Sequence, residues 1–388
     1  MQTIVTTEAL AAFCGRAQSA PYLTVDTEFM RESTYWPILC LLQIATGEEA
    51  VLIDPVAGKT MDFAPIFRLF ADARVLKVFH AAKQDIEIFV KLSGKAPAPV
   101  FDTQVAAAVC GFGDSVAYEA LVREIAGDQI DKSSRFTDWA RRPLSARQLE
   151  YAVADVTHLR PVYEHLSQKL DEMGRRAWVE DEMRALTRPE LYQTRPEDAW
   201  ERLKMKVGKP RDLALMQAIA AWRERRAQAL DVPRARVVKD DAIYEIAQQH
   251  PASPADFEQL RSFSRGFGRS ETAGEIMAIV KEVLARDKEA LPKVPRRPRG
   301  PSPKGAIGDL IRVLLKSVSE EHGVATRVIA TSEEIDAIVL DDDAGVPALT
   351  GWRRKLFGEQ ALAIKHGKLA LAAGRDGIVQ LEVDPKRS

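Results

Sequence analysis

A change of periodicity near Ser145 constrains this chain more than any other feature. Before it, short runs rich in β-branched and aromatic residues alternate with helical runs; after it the strand signal stops. Strands are expected at residues 22–29, 37–45, 50–53 and 75–79, with a short one ending at Phe101. The first three are joined by short turns such as 46–49, which predicts an antiparallel meander, whereas helices near 63–70 and 85–92 separate the later ones and predict parallel pairing. The first half is therefore expected to be a mixed sheet flanked by helices, an α/β fold.

The second half reads as helical. Leu149, Val153, Val156, Leu159 and Val162 recur at helical spacing over one long segment. Between residues 213 and 284, Leu213, Leu215, Ile219 and Trp222 form one stripe, and Ile243, Ile246, Phe257, Leu260, Ile276 and Val280 supply others, as in a compact bundle. Pro292, Pro295, Pro298, Pro301 and Pro303 then interrupt any helix and predict an extended linker that lets a third module move. That module shows helical patterning at 307–318 and 352–364. The expected division is 1–190, 191–290, a linker at 291–304, and 305–388, which suits a chain of 388 residues, too long for one ordinary core.

Composition excludes several classes. No stretch of about 18 uncharged apolar residues is present to span a bilayer, and residues 1–5 lack the basic start and apolar stretch of a secretory signal, so a cytoplasmic location with no membrane partner is expected. Cys14, Cys40 and Cys110 are odd in number and form no C-x-x-C pair, which argues against a disulfide framework or a thiolate zinc site. The net charge of −1 conceals local bias: residues 201–240 hold eleven Lys and Arg against five acids. Asp341, Asp342 and Asp343 show the opposite bias.

Chemistry is concentrated in three short segments. In Leu23-Thr24-Val25-Asp26-Thr27-Glu28-Phe29 the two acids stand two apart in a strand and so project from one face. Taken alone, such a pair is most often a solvated strand face. Here Leu23, Val25 and Phe29 suggest a buried strand, where unpaired acids are unfavourable unless a cation offsets them. In the run from Val78 to Phe89, a strand leads into a helix with Asp85 near its start, where an acid commonly serves the helix dipole. In the third segment, Tyr151 and Asp155 are spaced i, i+4 and share a helix face. Each signal has an ordinary structural reading; their conjunction, in an order one sheet could gather, points to a metal-dependent site.

These segments resemble the exonuclease motifs of the DEDD superfamily, and residues 1 to about 190 are similar to the ribonuclease D family. The stretches Arg31-Glu32-Ser33-Thr34-Tyr35-Trp36-Pro37, Phe101-Asp102-Thr103-Gln104 and Asp138-Trp139-Ala140-Arg141-Arg142-Pro143-Leu144 extend the likeness. Position 150 is Glu and position 151 is Tyr, which matches the Tyr branch of the superfamily rather than its His branch. The resemblance implies a ribonuclease H-like catalytic domain with Asp26, Glu28, Asp85 and Asp155 as metal ligands, Asp26 bridging two ions, and Tyr151 orienting the attacking water. Residues from about 209 to 286 resemble the HRDC module, a small helical nucleic-acid-binding domain, on Leu213-Ala214-Leu215, the run from Ala220 to Ala227 and Val232-Pro233-Arg234. Residues from about 305 to 382, including the run from Thr350 to Gly358, are similar to a second all-α module of this type.

Hydrolysis of an unactivated phosphodiester needs a barrier reduction on the order of 20 kcal/mol. Acid–base catalysis supplies about 3 to 5 kcal/mol of this, and two divalent ions about 4 Å apart supply much of the rest. Four carboxylates with no convincing His or Cys ligand make an oxygen site, which favours Mg²⁺ or Mn²⁺ over Zn²⁺. The expected function is 3′-to-5′ exoribonuclease action on RNA 3′ ends, tRNA precursors in particular, by a monomer. Alternatives are a 3′-to-5′ DNA exonuclease with the same metal centre, a non-catalytic RNA-binding scaffold, which predicts loss of an acid that is in fact present, and a glycosidase pair at Asp26 and Glu28, which leaves Asp85 and Asp155 unexplained. His80 and His158 are expected to be structural, Asp102 to cap a helix, and Arg135 and Arg142 are candidates for phosphate contact.

Overall fold

A computed structural model describes residues 2–131, 137–205, 207–294, 303–375 and 377–383. The elements of the first module are β1 (Gln2–Ile4), α1 (Thr7–Ala17), β2 (Tyr22–Met30), β3 (Ile38–Ala45), β4 (Ala50–Ile53), α2 (Ala64–Ala71), β5 (Leu76–Phe79), α3 (Lys83–Ser93), β6 (Val100–Asp102), α4 (Thr103–Val109), α5 (Tyr118–Leu121), α6 (Ala146–Thr157), α7 (Leu159–Glu172) and α8 (Arg176–Leu186). The strands form one six-stranded sheet in the order β1-β4-β3-β2-β5-β6. β2, β3 and β4 are the antiparallel meander, while β5 and β6 join β2 in parallel. The short β1, which the sequence pattern did not signal, pairs in parallel with β4.

Residue alternation decides the two faces of the sheet. Leu23 and Val25 of β2, with Leu42 and Ile44 of β3, join the main core with Phe13, Ile66 and Phe89. The opposite face of β3 and β4 carries Leu41 and Leu52, which pack with Ala152 of α6 and Trp139. Asp26 and Glu28 alternate with Val25 and Thr27 and so share the face that α6 covers. The helical segment expected from Leu149 to Val162 is built as two helices that meet at His158. Its apolar stripe serves two cores: Leu149 and Val153 lie with the α6 cluster, whereas Leu159 and Val162 belong to the main core.

The second module contains α9 (Pro210–Leu230), α10 (Arg234–Val237), α11 (Asp240–Gln249) and α12 (Glu271–Leu284). Its core gathers Leu213, Leu215, Ile219, Ile243, Ile246, Phe257, Leu260, Ile276 and Val280, with Trp222 at its edge. Four arginines of the local basic excess are paired with acids. Arg223 pairs with Asp240, Arg225 with Glu197, Arg226 with Glu275 and Arg234 with Glu224. The linker expected at 291–304 falls mostly, at 295–302, outside the described residues.

The third module comprises α13 (Ala306–His322), α14 (Thr326–Ile329), α15 (Ser332–Leu340), α16 (Gly351–Arg353), α17 (Glu359–Lys365), β7 (Leu369–Gly374) and β8 (Gly377–Glu382). It is not all-α: β7 and β8 form an antiparallel hairpin after the last helix. Nor do its contacts suit a freely moving body. The Trp178 and Trp352 rings stack 4.2 Å apart, Arg353 lies 2.6 Å from Glu182, and the Ala325 N–H donates to the Ala108 carbonyl. Asp342 of the acidic run is held by Lys365 and His366.

The second module is fastened to the segment between β2 and β3. Tyr35 donates its hydroxyl to Glu224, and Arg234 forks onto both oxygens of Glu224 at 2.5 and 2.6 Å while also donating to the Tyr35 oxygen at 2.8 Å. Asp231, in left-handed backbone after α9, accepts from the N–H groups of Tyr35 and Trp36. Burial works to raise the Glu224 pKa, but hydrogen bonds from Arg234 and Tyr35 outweigh it and hold the carboxyl below its ordinary value. Removing one partner of a buried ion pair typically destabilises by about 3 to 5 kcal/mol. Arg234 keeps 31% of its side chain exposed. The expected loss for Glu224→Gln, read from denaturant unfolding, is therefore smaller, roughly 2 to 4 kcal/mol.

Candidate active site

All five residues singled out from the sequence line one cleft of about 950 Å³. Carboxylate oxygens of Asp26, Glu28 and Asp155 lie within 4.8 Å of one another. β2 supplies the first two, and a bulge between Glu28 and Phe29, where the register steps from Leu41 to Leu39, bends the strand beside them. Asp155 comes from α6. A box at Ser145 and Gln148 caps that helix, and the Thr24 hydroxyl bonds to the Val156 carbonyl at 2.7 Å to tie it to β2. The Tyr151 side chain, one turn before Asp155, lies beside the Asp155 carboxylate, whose charge helps keep the phenol protonated.

Asp85 stands apart from this trio. It sits in the first turn of α3, buried, and accepts a hydrogen bond from Thr27. Asp102 fixes that turn: its carboxylate accepts from the N–H groups of Ala81 and Ala82 at 3.0 and 2.9 Å and from Gln104 at 2.8 Å. It thus caps α4 as expected and also holds the β5–α3 turn, where Ala81 takes a φ of +60°. Tyr118, which the sequence did not single out, lines the cleft and donates to the Asp155 carbonyl at 2.5 Å. No local pattern marks it, because its role depends on a contact 37 residues away.

The electrostatics follow from crowding acids out of water. Burial pushes Asp26 up to about 7, opposed by the Thr27 N–H. Burial, then the Asp26 charge, raises Asp85 well above the carboxylate range. Tyr151 is raised by burial and then by Asp155, Glu28 and Asp26, so its phenol stays protonated near neutral pH. Burial lowers the pKa of His80, and its Nδ1 meets the Thr103 hydroxyl at 3.0 Å, an anchoring role at the cleft edge. His158 pairs with Asp128 and does not line the cleft.

Converging oxygens whose burial and mutual repulsion favour protonation fit a divalent cation, which reverses both effects. The donors are hard oxygens, suited to Mg²⁺ or Mn²⁺. Arg142 is not available to a phosphate. It donates to the buried Asp54 at 2.6 and 2.7 Å and to the carbonyls of Cys40 and Trp139, because that carboxylate needs a counter-charge. Arg135 lies outside the described residues.

A family model for a 3′-5′ exonuclease matches residues 1–171, and one for the HRDC domain matches residues 212–280. Ribonuclease D of Nitrobacter hamburgensis is 52% identical over 98% of this chain and 100% of its own length. Ribonuclease D of Granulibacter bethesdensis is 47% identical over 97% of this chain and 95% of its own. The crystal structure of Escherichia coli RNase D, described as an exoribonuclease involved in structured RNA processing, superposes with a TM-score of 0.84 at 30% identity, covering 94% of this chain and 98% of that one. Exonucleases of this superfamily normally use divalent metal ions. With a mixed sheet, a carboxylate-lined cleft and an HRDC module in one chain, the protein belongs to the ribonuclease D family of 3′-5′ exoribonucleases.

Proposed function

We propose that this chain trims the 3′ ends of structured RNA, tRNA precursors among them, as a cytoplasmic monomer, with two divalent ions held by Asp26, Glu28, Asp85 and Asp155. The observation that carries the reading is the convergence of Asp26, Glu28 and Asp155 within 4.8 Å in one cleft that Tyr151 also lines. When bound, the ions, Mg²⁺ or Mn²⁺, supply the positive charge that acidifies the attacking water and neutralises the scissile phosphate. Among the described residues, no helix is long and apolar enough to cross a membrane.

The protein's own groups do the positioning. Glu28 and Asp155 face Asp26 from a strand and a helix that Thr24 binds together, so the three donors move as one body. Thr27 orients Asp85 from the other side of β2. The Tyr151 hydroxyl, kept neutral beside the acids, has lone pairs with which to accept a hydrogen bond from water, aiming the water oxygen at phosphorus. Phe29, Met30 and Trp139 give the cleft an apolar wall for a terminal base. In this reading residues 1–190 perform the hydrolysis, and the modules at 191–290 and 305–388 hold the body of the RNA.

Digestion of a 3′-extended tRNA precursor and its DNA analogue, in Mg²⁺, Mn²⁺ or chelator, tests the proposal. Ion-dependent release of 5′-mononucleotides from the RNA supports it, and preference for the DNA analogue overturns the substrate assignment. Asp26→Asn and Asp155→Asn each remove a ligand charge at constant shape and are expected to slow hydrolysis by at least about 100-fold. Tyr151→Phe should slow turnover by roughly 10- to 100-fold, with ion binding nearly unchanged; wild-type turnover would remove Tyr151 from the mechanism.

A pH dependence follows from Asp26. Burial holds its folded pKa at about 7, above the ordinary carboxylate value of 3.8, so the ion-free protein loses relative stability as pH climbs from about 4 through 7. A bound ion requires the ionised carboxylate and cancels that loss. The melting-temperature increase given by Mn²⁺ over chelator should therefore grow between about pH 5.5 and 8 and then level off. A pH-independent increase would show that Asp26 holds no ion.

A further inference from the structure

Residues 261–269 of the second module read Arg-Ser-Phe-Ser-Arg-Gly-Phe-Gly-Arg, with Arg and Phe alternating at every second position. The two phenylalanines point into the module: the Phe263 and Phe267 rings lie 4.3 Å apart, and each sits 5.4 Å from the buried Phe257. Arg261, Arg265 and Arg269 are all exposed. Among the described residues none of the three side chains makes an ion pair or hydrogen bond, whereas those of Arg223, Arg225, Arg226 and Arg234 in the same module are all matched to carboxylates.

Acids are close enough to have neutralised the loop, but they are engaged with its backbone. Glu245 accepts from the Ser262 N–H at 3.0 Å, and Glu258 accepts from the Gly266 N–H at 2.8 Å. Gly266 has a φ of +82°, and a Cβ at Gly268 would fall 2.1 Å from the Pro254 carbonyl oxygen. Aromatic anchors, carboxylates and glycines thus fix the backbone and leave three guanidinium groups in water. Like charges held together without a counter-charge are unfavourable in the free protein and become favourable against a polyanion.

We infer that this loop binds the phosphates of single-stranded RNA through Arg261, Arg265 and Arg269, the ligand identity resting on the exoribonuclease reading above. Planar guanidinium groups match phosphate oxygens two at a time. Because the phenylalanines face inward, bases have no ring to stack on, and recognition is independent of sequence. None of these residues lines the cleft, so the loop grips RNA beyond the 3′-terminal nucleotides. The Tyr35–Glu224–Arg234 knot holds the module at a set position beside the cleft wall that Arg31 and Glu32 form.

The test uses the full chain with Arg261, Arg265 and Arg269 all changed to Gln, and measures binding of a long single-stranded RNA in chelator, where the strand stays intact. Each lost contact lowers the slope of log affinity on log salt by about 0.7, so a drop of about 2 and binding about 100-fold weaker near 0.1 M salt are expected. Changing the same three residues to Lys should keep the slope, and Arg225→Gln should not alter it, because Arg225 is already paired with Glu197. Cleavage of a trinucleotide should be untouched. If the triple variant lowers the melting temperature, Arg265→Gln alone carries the test, with a slope change of about 0.7. An unchanged slope in a well-folded variant, or an equal drop in Arg225→Gln, overturns the assignment. Failure of the unaltered chain to cleave the trinucleotide would sink the exonuclease reading instead, independently of the binding result.

Discussion

Like charges gathered on one half-buried sheet face are the interaction around which the catalytic half is organised. Asp26, Glu28 and Asp155 repel one another at separations where water screens poorly, and Asp26 adds to the pressure on Asp85. Left to themselves these groups would separate or take up protons. They stay together because the elements that carry them are locked by other means: Thr24 to the α6 backbone, Tyr118 to the Asp155 carbonyl, Thr27 to Asp85, and Asp102 across two turns. The stability of the surrounding core, with Leu23, Val25, Leu42 and Ile44 fully or almost fully buried, offsets a locally unfavourable charge arrangement.

The same logic explains why the helical modules are fastened by polar contacts with defined geometry. The buried Glu224 contributes little net stability compared with an apolar contact of similar size, but its forked bond to Arg234 and its bond to Tyr35 admit one orientation of the second module. Asp231 repeats the device on the adjacent backbone. The third module is set by a parallel tryptophan stack and the Arg353–Glu182 pair on α8. These contacts place both modules on the catalytic domain at fixed positions, so RNA held on one of them enters the cleft from a fixed direction.

Charge counts along the chain were a poor guide to which arginines the fold leaves unpaired. The run at 201–240 is rich in Lys and Arg, yet four of its arginines are matched to acids from other elements, and Arg142 beside the cleft serves Asp54. The segment at 261–269 drew no attention by count, although the side chains of its exposed arginines have no partner among the described residues. Whether a guanidinium is available to a ligand depends on what the fold places opposite it, and linear sequence does not record that.

By itself the sequence determined what depends on local periodicity and on residue type. The period-two run of β2 set Asp26 and Glu28 on one face, the i, i+4 spacing set Tyr151 beside Asp155, and the short turns made β2, β3 and β4 a meander. Other features were decided only by contacts between distant residues. The apolar stripe from Leu149 to Val162 is continuous in sequence but feeds two cores, so the break at His158 arises from packing. β1 is too short to show alternation and exists because β4 offers it an edge. The role of Tyr118 likewise rests on a distant partner. Asp85 shows the division most clearly: its position near a helix start was legible, but its closeness to Asp26 comes from β5 lying in parallel beside β2, a pairing fixed by the whole sheet.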